Sequence, residues 1–165
     1  MKPRAILPTT AAFAIVLVST NMHAQEVAAC DLIQSNVVLG LMREPVSQHT
    51  PNRQFQLFEG AKISMCIFFG KRNRVHLTLQ EFPDATKASQ AYAKGTIGTG
   101  FAKFSPADGL GEKAVWWTRA TEAYGYFVLK GKRVLSFESR WGDSNNGAGL
   151  KEQMRPIVLE AARKM

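Results

Sequence analysis

Cysteine is scarce in this chain, long apolar runs are scarcer, and histidine is close to absent. The 165 residues include two cysteines and three histidines. Two sulfurs make only half of a tetrahedral zinc shell, and no histidine pair stands near them, so a metal site lacks ligands. The longest strongly apolar run, Ala11–Val18, falls far short of the roughly 20 residues a membrane-spanning helix needs. Acids are few as well: 13 Asp+Glu against 21 Lys+Arg leave a net charge of +8. With 45% hydrophobic residues, the composition is that of a folded domain and excludes a disordered tail or a membrane bundle. The length suits one domain.

What is present begins at the N-terminus. Met1-Lys2-Pro3-Arg4 is a short basic region, Ala11–Val18 is uncharged and apolar, and Met22-His23-Ala24 offers a small residue at a cleavage edge. Together they read as a secretory signal peptide over residues 1–24, leaving a single domain over 25–165. Removing Lys2 and Arg4 lowers the net charge from +8 to +6. No other stretch approaches transmembrane length, so no transmembrane segment is expected in the mature chain.

Export changes the meaning of the two cysteines, because an exported chain meets an oxidising environment. A Cys30–Cys66 disulfide would tie the N-terminal segment to the first core strand and stabilise by roughly 3–4 kcal/mol. A second reading stands beside it. Val27-Ala28-Ala29-Cys30 has the small residues that precede a lipidated cysteine, although Glu26 interrupts the approach and Cys66 would be left a free thiol.

Ser35 can cap a short helix carrying Val37, Val38, Leu39 and Leu41, with Asp31 as an alternative start. Residues 44–60 are polar, hold two prolines and read as a loop. Lys62–Phe69 and Arg74–Phe82 alternate, with turn residues Gly70–Asn73 between them, which predicts a hairpin. Asp84 caps a helix bearing Ala85, Ala88, Ala91 and Tyr92. The stretch from Gly95 to Gly111 reads as an irregular crossing. Strands follow at 114–119, 124–130 and 133–141, the last two joined at Gly131-Lys132. A polar loop, 142–149, leads to a closing helix from about Leu150, with Pro156 either kinking it or setting its first turn. The order α-ββ-α-βββ-α predicts an α+β fold: an antiparallel sheet of about five strands with helices packed on one face.

Several features then sit together: Cys30-x-Leu32 before a capped helix, a strand containing Cys66, an alanine-rich helix with Tyr92, and Asp108-Gly109-Leu110-Gly111-Glu112-Lys113-Ala114 entering a strand. This layout resembles a group of small secreted or lipid-anchored bacterial envelope domains of unknown function. In that group a cysteine pair joins the first helix to a strand, and a Gly-Leu-Gly-acid-x-Ala turn opens the second half. The resemblance implies an α+β sandwich and an envelope location, and carries over no catalytic residue.

Candidate chemistry is thin. The region after residue 24 has only His49, in a loop, and His76, on a polar strand face, and no spacing joins either to a nucleophile and an orienting acid. Gly95-x-x-Gly98-x-Gly100 follows a helix and does not open one, so it lacks the context of a phosphate loop. Glu138 and Asp143 near the end of the last strand, with Glu122 before it, are the carboxylates a small envelope-acting hydrolase would use, if two of them flanked a cleft. Two basic clusters are clearer: Lys71, Arg72 and Arg74 at the first hairpin tip, and Lys130, Lys132 and Arg133 at the second. They suggest a footprint for an anionic envelope component, or simply charged tips that keep hairpins unpaired. Trp116 and Trp117 must face opposite ways on a regular strand. With Trp141, Tyr124 and Tyr126 they form an aromatic cleft or lie under a helix.

The resulting expectation is an exported periplasmic or extracellular binding or interaction module, without cofactor or metal, acting on an envelope protein or an anionic envelope component. Nucleic acid is not an expected partner of an exported chain. A carboxylate hydrolase and a lipid-anchored assembly factor are the alternatives.

Overall fold

Alternation of apolar and polar residues marks several of the strands in this chain. A computed structural model describes residues 27–49, 56–57, 60–97, 102–119, 123–141 and 149–165. The elements run α1 (Ala29–Leu32), α2 (Ser35–Met42), β1 (Ser47–His49), β2 (Gln56–Leu57), β3 (Ala61–Phe69), β4 (Arg74–Glu81), α3 (Ala85–Ile97), β5 (Ala102–Pro106), β6 (Lys113–Arg119), β7 (Ala123–Lys130), β8 (Arg133–Arg140) and α4 (Leu150–Lys164). The proposed signal peptide, residues 1–24, lies outside the described residues, as do Gly98, Gly100, Glu122 and Asp143.

Among the described residues one antiparallel sheet of eight strands forms. Seven follow the order β1-β3-β4-β8-β7-β6-β5, and β2 pairs with β3 off that path. This corrects the expected five strands. The three additional ones fall in segments that read as loops. All three residues of β1 are exposed, so no apolar alternation announces it, and its hydrogen bonds to β3 come from the backbone. β5 is an edge strand that ends in Pro106, a residue an edge tolerates because one side of the strand needs no donors.

The helices do not share one face, which is the second correction. Leu32, Val38, Leu41, Met154, Val158 and Ala161 pack on Cys66, Phe68, Leu77, Tyr126, Leu135 and Phe137, so α1, α2 and α4 cover one side. α3 lies on the other side, where Ala88 and Tyr92 pack with Ala61, Phe82, Leu129 and Val134. The physical reason is that both faces carry apolar side chains: Cys66 and Phe68 enter the first core, while Ile63 and Ala61 are buried on the opposite face. Gly95 lets α3 approach the sheet, since a Cβ there would lie 3.1 Å from the Phe127 ring.

Local signals explain the helix ends. Lys87 N donates to Asp84 Oδ1 at 2.8 Å, the cap expected for α3. The N-terminal helix breaks in two at Ile33–Gln34; Gln34, not Ser35, is the cap residue of α2, and Arg43 closes it with φ 54°. Pro156 sits in the interior of a continuous α4, so it does not begin the helix. Tyr126 Oη donates to Lys151 O at 2.7 Å in that first turn. Burial pushes the Tyr126 phenol up to about 12.

Candidate functional site

Strand register decides what the two basic hairpin tips can do. Arg74 pairs with Arg140 and Glu81 with Arg133 across the β4–β8 ladder. The β3–β4 tip and the β7–β8 tip therefore lie at opposite ends of the sheet, and they cannot form one footprint. The second tip is also internally satisfied. Lys132 Nζ lies 2.6 Å and Arg133 Nη2 3.0 Å from the Glu81 carboxylate. The hydrogen bond from Lys132 leads the effects that hold Glu81 below the usual carboxylate range, and Arg133 adds to it. Arg133 also donates to Met165 O. Lys130 Nζ donates to Ala162 O at 2.7 Å, capping carbonyls at the end of α4, where the helix dipole favours a cation.

The other end gathers charge that local sequence does not show. Arg74 faces Arg140, Arg140 faces Ala123, and Ala123 faces Arg119. Directly opposed residues share a sheet face, so Arg74, Arg140 and Arg119 form one row, with steps of about 5 Å and about 10 Å set by strand spacing. Lys71 and Arg72 project from the adjoining tip, and Arg43 stands just before Glu44, whose carboxylate caps the same turn. Asn73 N donates to Glu44 Oε1 at 3.0 Å, and Arg72 N lies 3.3 Å from both oxygens. All six of these cations are exposed. Among the described residues two carboxylates accompany them: Glu44 is committed to the turn, and Glu138 is ion-paired to Arg140. The guanidinium of Arg74 lies 5.4 Å from the Phe69 ring centre, and that of Arg119 lies 5.8 Å from the Trp117 ring.

Behind the arginines the next cross-strand row reads His49, Ile67, His76, Glu138, Gly125, Trp117 and Phe104. Gly125 is what allows Trp117 to lie flat there: a Cβ at position 125 would fall 2.7 Å from two indole carbons and 2.2 Å from Phe137 O. Trp117 Nε1 and His76 Nε2 are buried with no hydrogen-bond partner among the described residues. Burial lowers the His76 pKa below 6.5; neighbouring Glu138 opposes this, while Arg140 and Arg74 reinforce it. The result is a neutral imidazole beneath a cationic rim.

The aromatic residues divide between the two faces. Trp116 stacks on Tyr124 at 6.2 Å and meets Tyr126 edge-on at 4.9 Å in the main core, which also holds Trp141. Trp117 alone of the three faces the other side. The Gly-Leu-Gly turn proves to be a packing device. Gly109 has φ 77°, Leu110 is buried, and a Cβ on Gly111 would meet Leu129 O at 2.5 Å. Beside it, Leu110, Leu159, Lys130 and Arg163 border an open cavity of about 540 Å³. Its Lys130 is already bonded to helix carbonyls. Among the described residues no His, Cys, Asp or Glu cluster could hold a metal ion, and no helix is long and apolar enough to cross a membrane.

Cys30 and Cys66 form the disulfide, with Cα atoms 5.0 Å apart. The bond fastens α1 to β3, as does Ala29 N donating to Ser64 Oγ at 2.8 Å. With its sulfur so used, Cys30 has none left for a lipid thioether. Glu138 is neutralised by Arg140, while Asp143, its suggested carboxylate partner, lies outside the described residues. Sequence reasoning passed over Arg43 and, more consequentially, two further site residues, Arg119 and Arg140. Both end strands, and tracing hairpin register from each turn would have placed them in the row with Arg74.

No protein-family model matches the chain, and no curated protein sequence matches it. Among solved structures, the crystallised extracellular domain of PknH from Mycobacterium tuberculosis is similar in fold, with a TM-score of 0.52 and 13% identity. The match covers 86% of this chain and 99% of that domain. At that identity the likeness concerns the fold alone.

Proposed function

We propose that this chain is an exported, non-enzymatic interaction module of a bacterial envelope, with residues 1–24 as its signal peptide and 25–165 as its one domain. The observation that carries the reading is the basic end of the sheet, where, among the described residues, six exposed cations meet two carboxylates that are already engaged. Such an array attracts an anionic partner. The partner on this reading is an envelope protein or an anionic envelope component, not a nucleic acid. The disulfide supports export, because such bonds persist in oxidising compartments, and the fold shared with an extracellular bacterial domain points the same way. The Gly109–Glu112 turn and the helix-to-strand cysteine pair support membership of the small secreted envelope domains that the sequence resembles. Anchoring through Cys30 is disfavoured by the disulfide, and hydrolysis by the engagement of Glu138 with Arg140.

Expression of the full chain in a bacterial host, followed by fractionation and intact mass, tests this. The expected product is periplasmic or secreted, starts at Gln25 and lacks two hydrogens. A precursor retained in the cytoplasm with Met1 intact would overturn export, and a diacylated Cys30 would overturn the soluble form.

A further inference from the structure

We propose that the basic end of the sheet docks on the anionic headgroups of a lipid bilayer, with Arg74, Arg119 and Arg140 as the central contacts and Lys71 and Arg43 at the margin. This rests on the reading of the chain as an exported interaction module, and it names the partner of the same surface. Three features favour a membrane over a single small anion. The cations are spread across β4, β6 and β8 and the adjoining turn, which suits a surface of many charges more than one bound ion. Arginine guanidinium groups bind phosphate through paired, planar hydrogen bonds. Ile67 and Phe69 lie half-buried next to the row, so apolar surface adjoins the charge as it does at a headgroup boundary.

At the opposite end the clustered Lys130, Lys132 and Arg133 are tied to helix carbonyls and to Glu81. On this proposal the sheet would stand with the β3–β4 tip and the Arg119 and Arg140 ends of β6 and β8 toward the bilayer. Each cation near an anionic surface adds about 1 kcal/mol, or about fivefold in partition, and the attraction fades within a Debye length.

The test uses protein exported from the full-length gene and purified from the periplasm, sedimented with vesicles of phosphatidylcholine alone or with 30% phosphatidylglycerol. The expected result is sedimentation with the anionic vesicles only, lost as salt rises from 50 to 500 mM. Replacing Arg74, Arg119 and Arg140 together by Gln lowers the partition coefficient by about a hundredfold. A charge-matched control, K87Q/K113Q/R163Q, keeps it within threefold of wild type. Lys71→Glu, at an exposed turn, gives a smaller loss and serves if the triple variant fails to fold. Equal losses in the triple variant and the control would overturn the proposal, since net charge and not this row would then govern binding. So would equal sedimentation with both vesicle types, or none with either. Successful export with no vesicle binding would leave the interaction-module reading standing and remove only the lipid partner.

Discussion

Replacing Cys30 and Cys66 together by alanine removes the bond that closes a 36-residue separation between α1 and β3. In the chain-entropy treatment, that cross-link withholds 2.1 + 1.5R ln n cal/mol/K from the unfolded chain, about 13 cal/mol/K for this loop. At 298 K this is about 4 kcal/mol. A domain of about 140 residues has an unfolding entropy near 0.3 kcal/mol/K, so the melting temperature should fall by about 13 °C. Local structure softens the loss little. α1 keeps the Ala29–Ser64 hydrogen bond and its buried Leu32, but four residues make a poor helix without their anchor. Thermal unfolding followed by circular dichroism reads the shift directly. Wild-type protein with the disulfide reduced should melt close to the alanine variant. A drop under about 4 °C in both would refute the reasoning, because α1 would then be held by packing that the cross-link merely accompanies.

Other substitutions probe the sheet face. Gly125→Ala places a Cβ against backbone at 2.2 Å and the Trp117 indole at 2.7 Å, and should cost on the order of 3 kcal/mol. Gly131→Ala, with φ 56° and open space around it, should cost only about 1 kcal/mol; denaturant titration ranks the two, and equal costs would contradict the close approach of Trp117. Burial lowers the His76 pKa, so below pH 6.5 the unfolded chain binds more protons than the folded one. Its stabilising contribution is complete above 6.5 and is lost as pH falls through the folded value. Melting temperature should therefore decline from pH 7 toward pH 5, and His76→Gln should flatten that slope. Glu81, also lowered but from 4.5, acts at more acid pH, so a slope unchanged by His76→Gln would exclude the imidazole as its source.

The strands of both tight hairpins and the Asp84-capped helix were legible because each depends on neighbouring residues: alternation, turn chemistry and a side-chain cap. β1 and β5 were not, since an exposed edge strand needs only backbone bonds to a partner that has already formed. The adjacent pair Trp116-Trp117 signalled that both faces needed cover, yet nothing local says that α3, and not α4, crosses to the far face. The candidate site was half visible for the same reason. Lys71, Arg72 and Arg74 cluster in sequence, whereas Arg119 and Arg140 join them only through the register of β4, β8, β7 and β6. Lys130, Lys132 and Arg133 also cluster in sequence, but Glu81 and the end of α4 reach them from elsewhere and occupy them.

The most direct test of the basic end as the partner surface is site-specific photo-crosslinking in living cells. A photoreactive residue placed at Lys71 or Arg119 should capture envelope material. The same residue at Lys113 or Arg163, exposed at the opposite end, should capture little. Equal capture at both ends, or capture only at Lys113 and Arg163, would contradict the account.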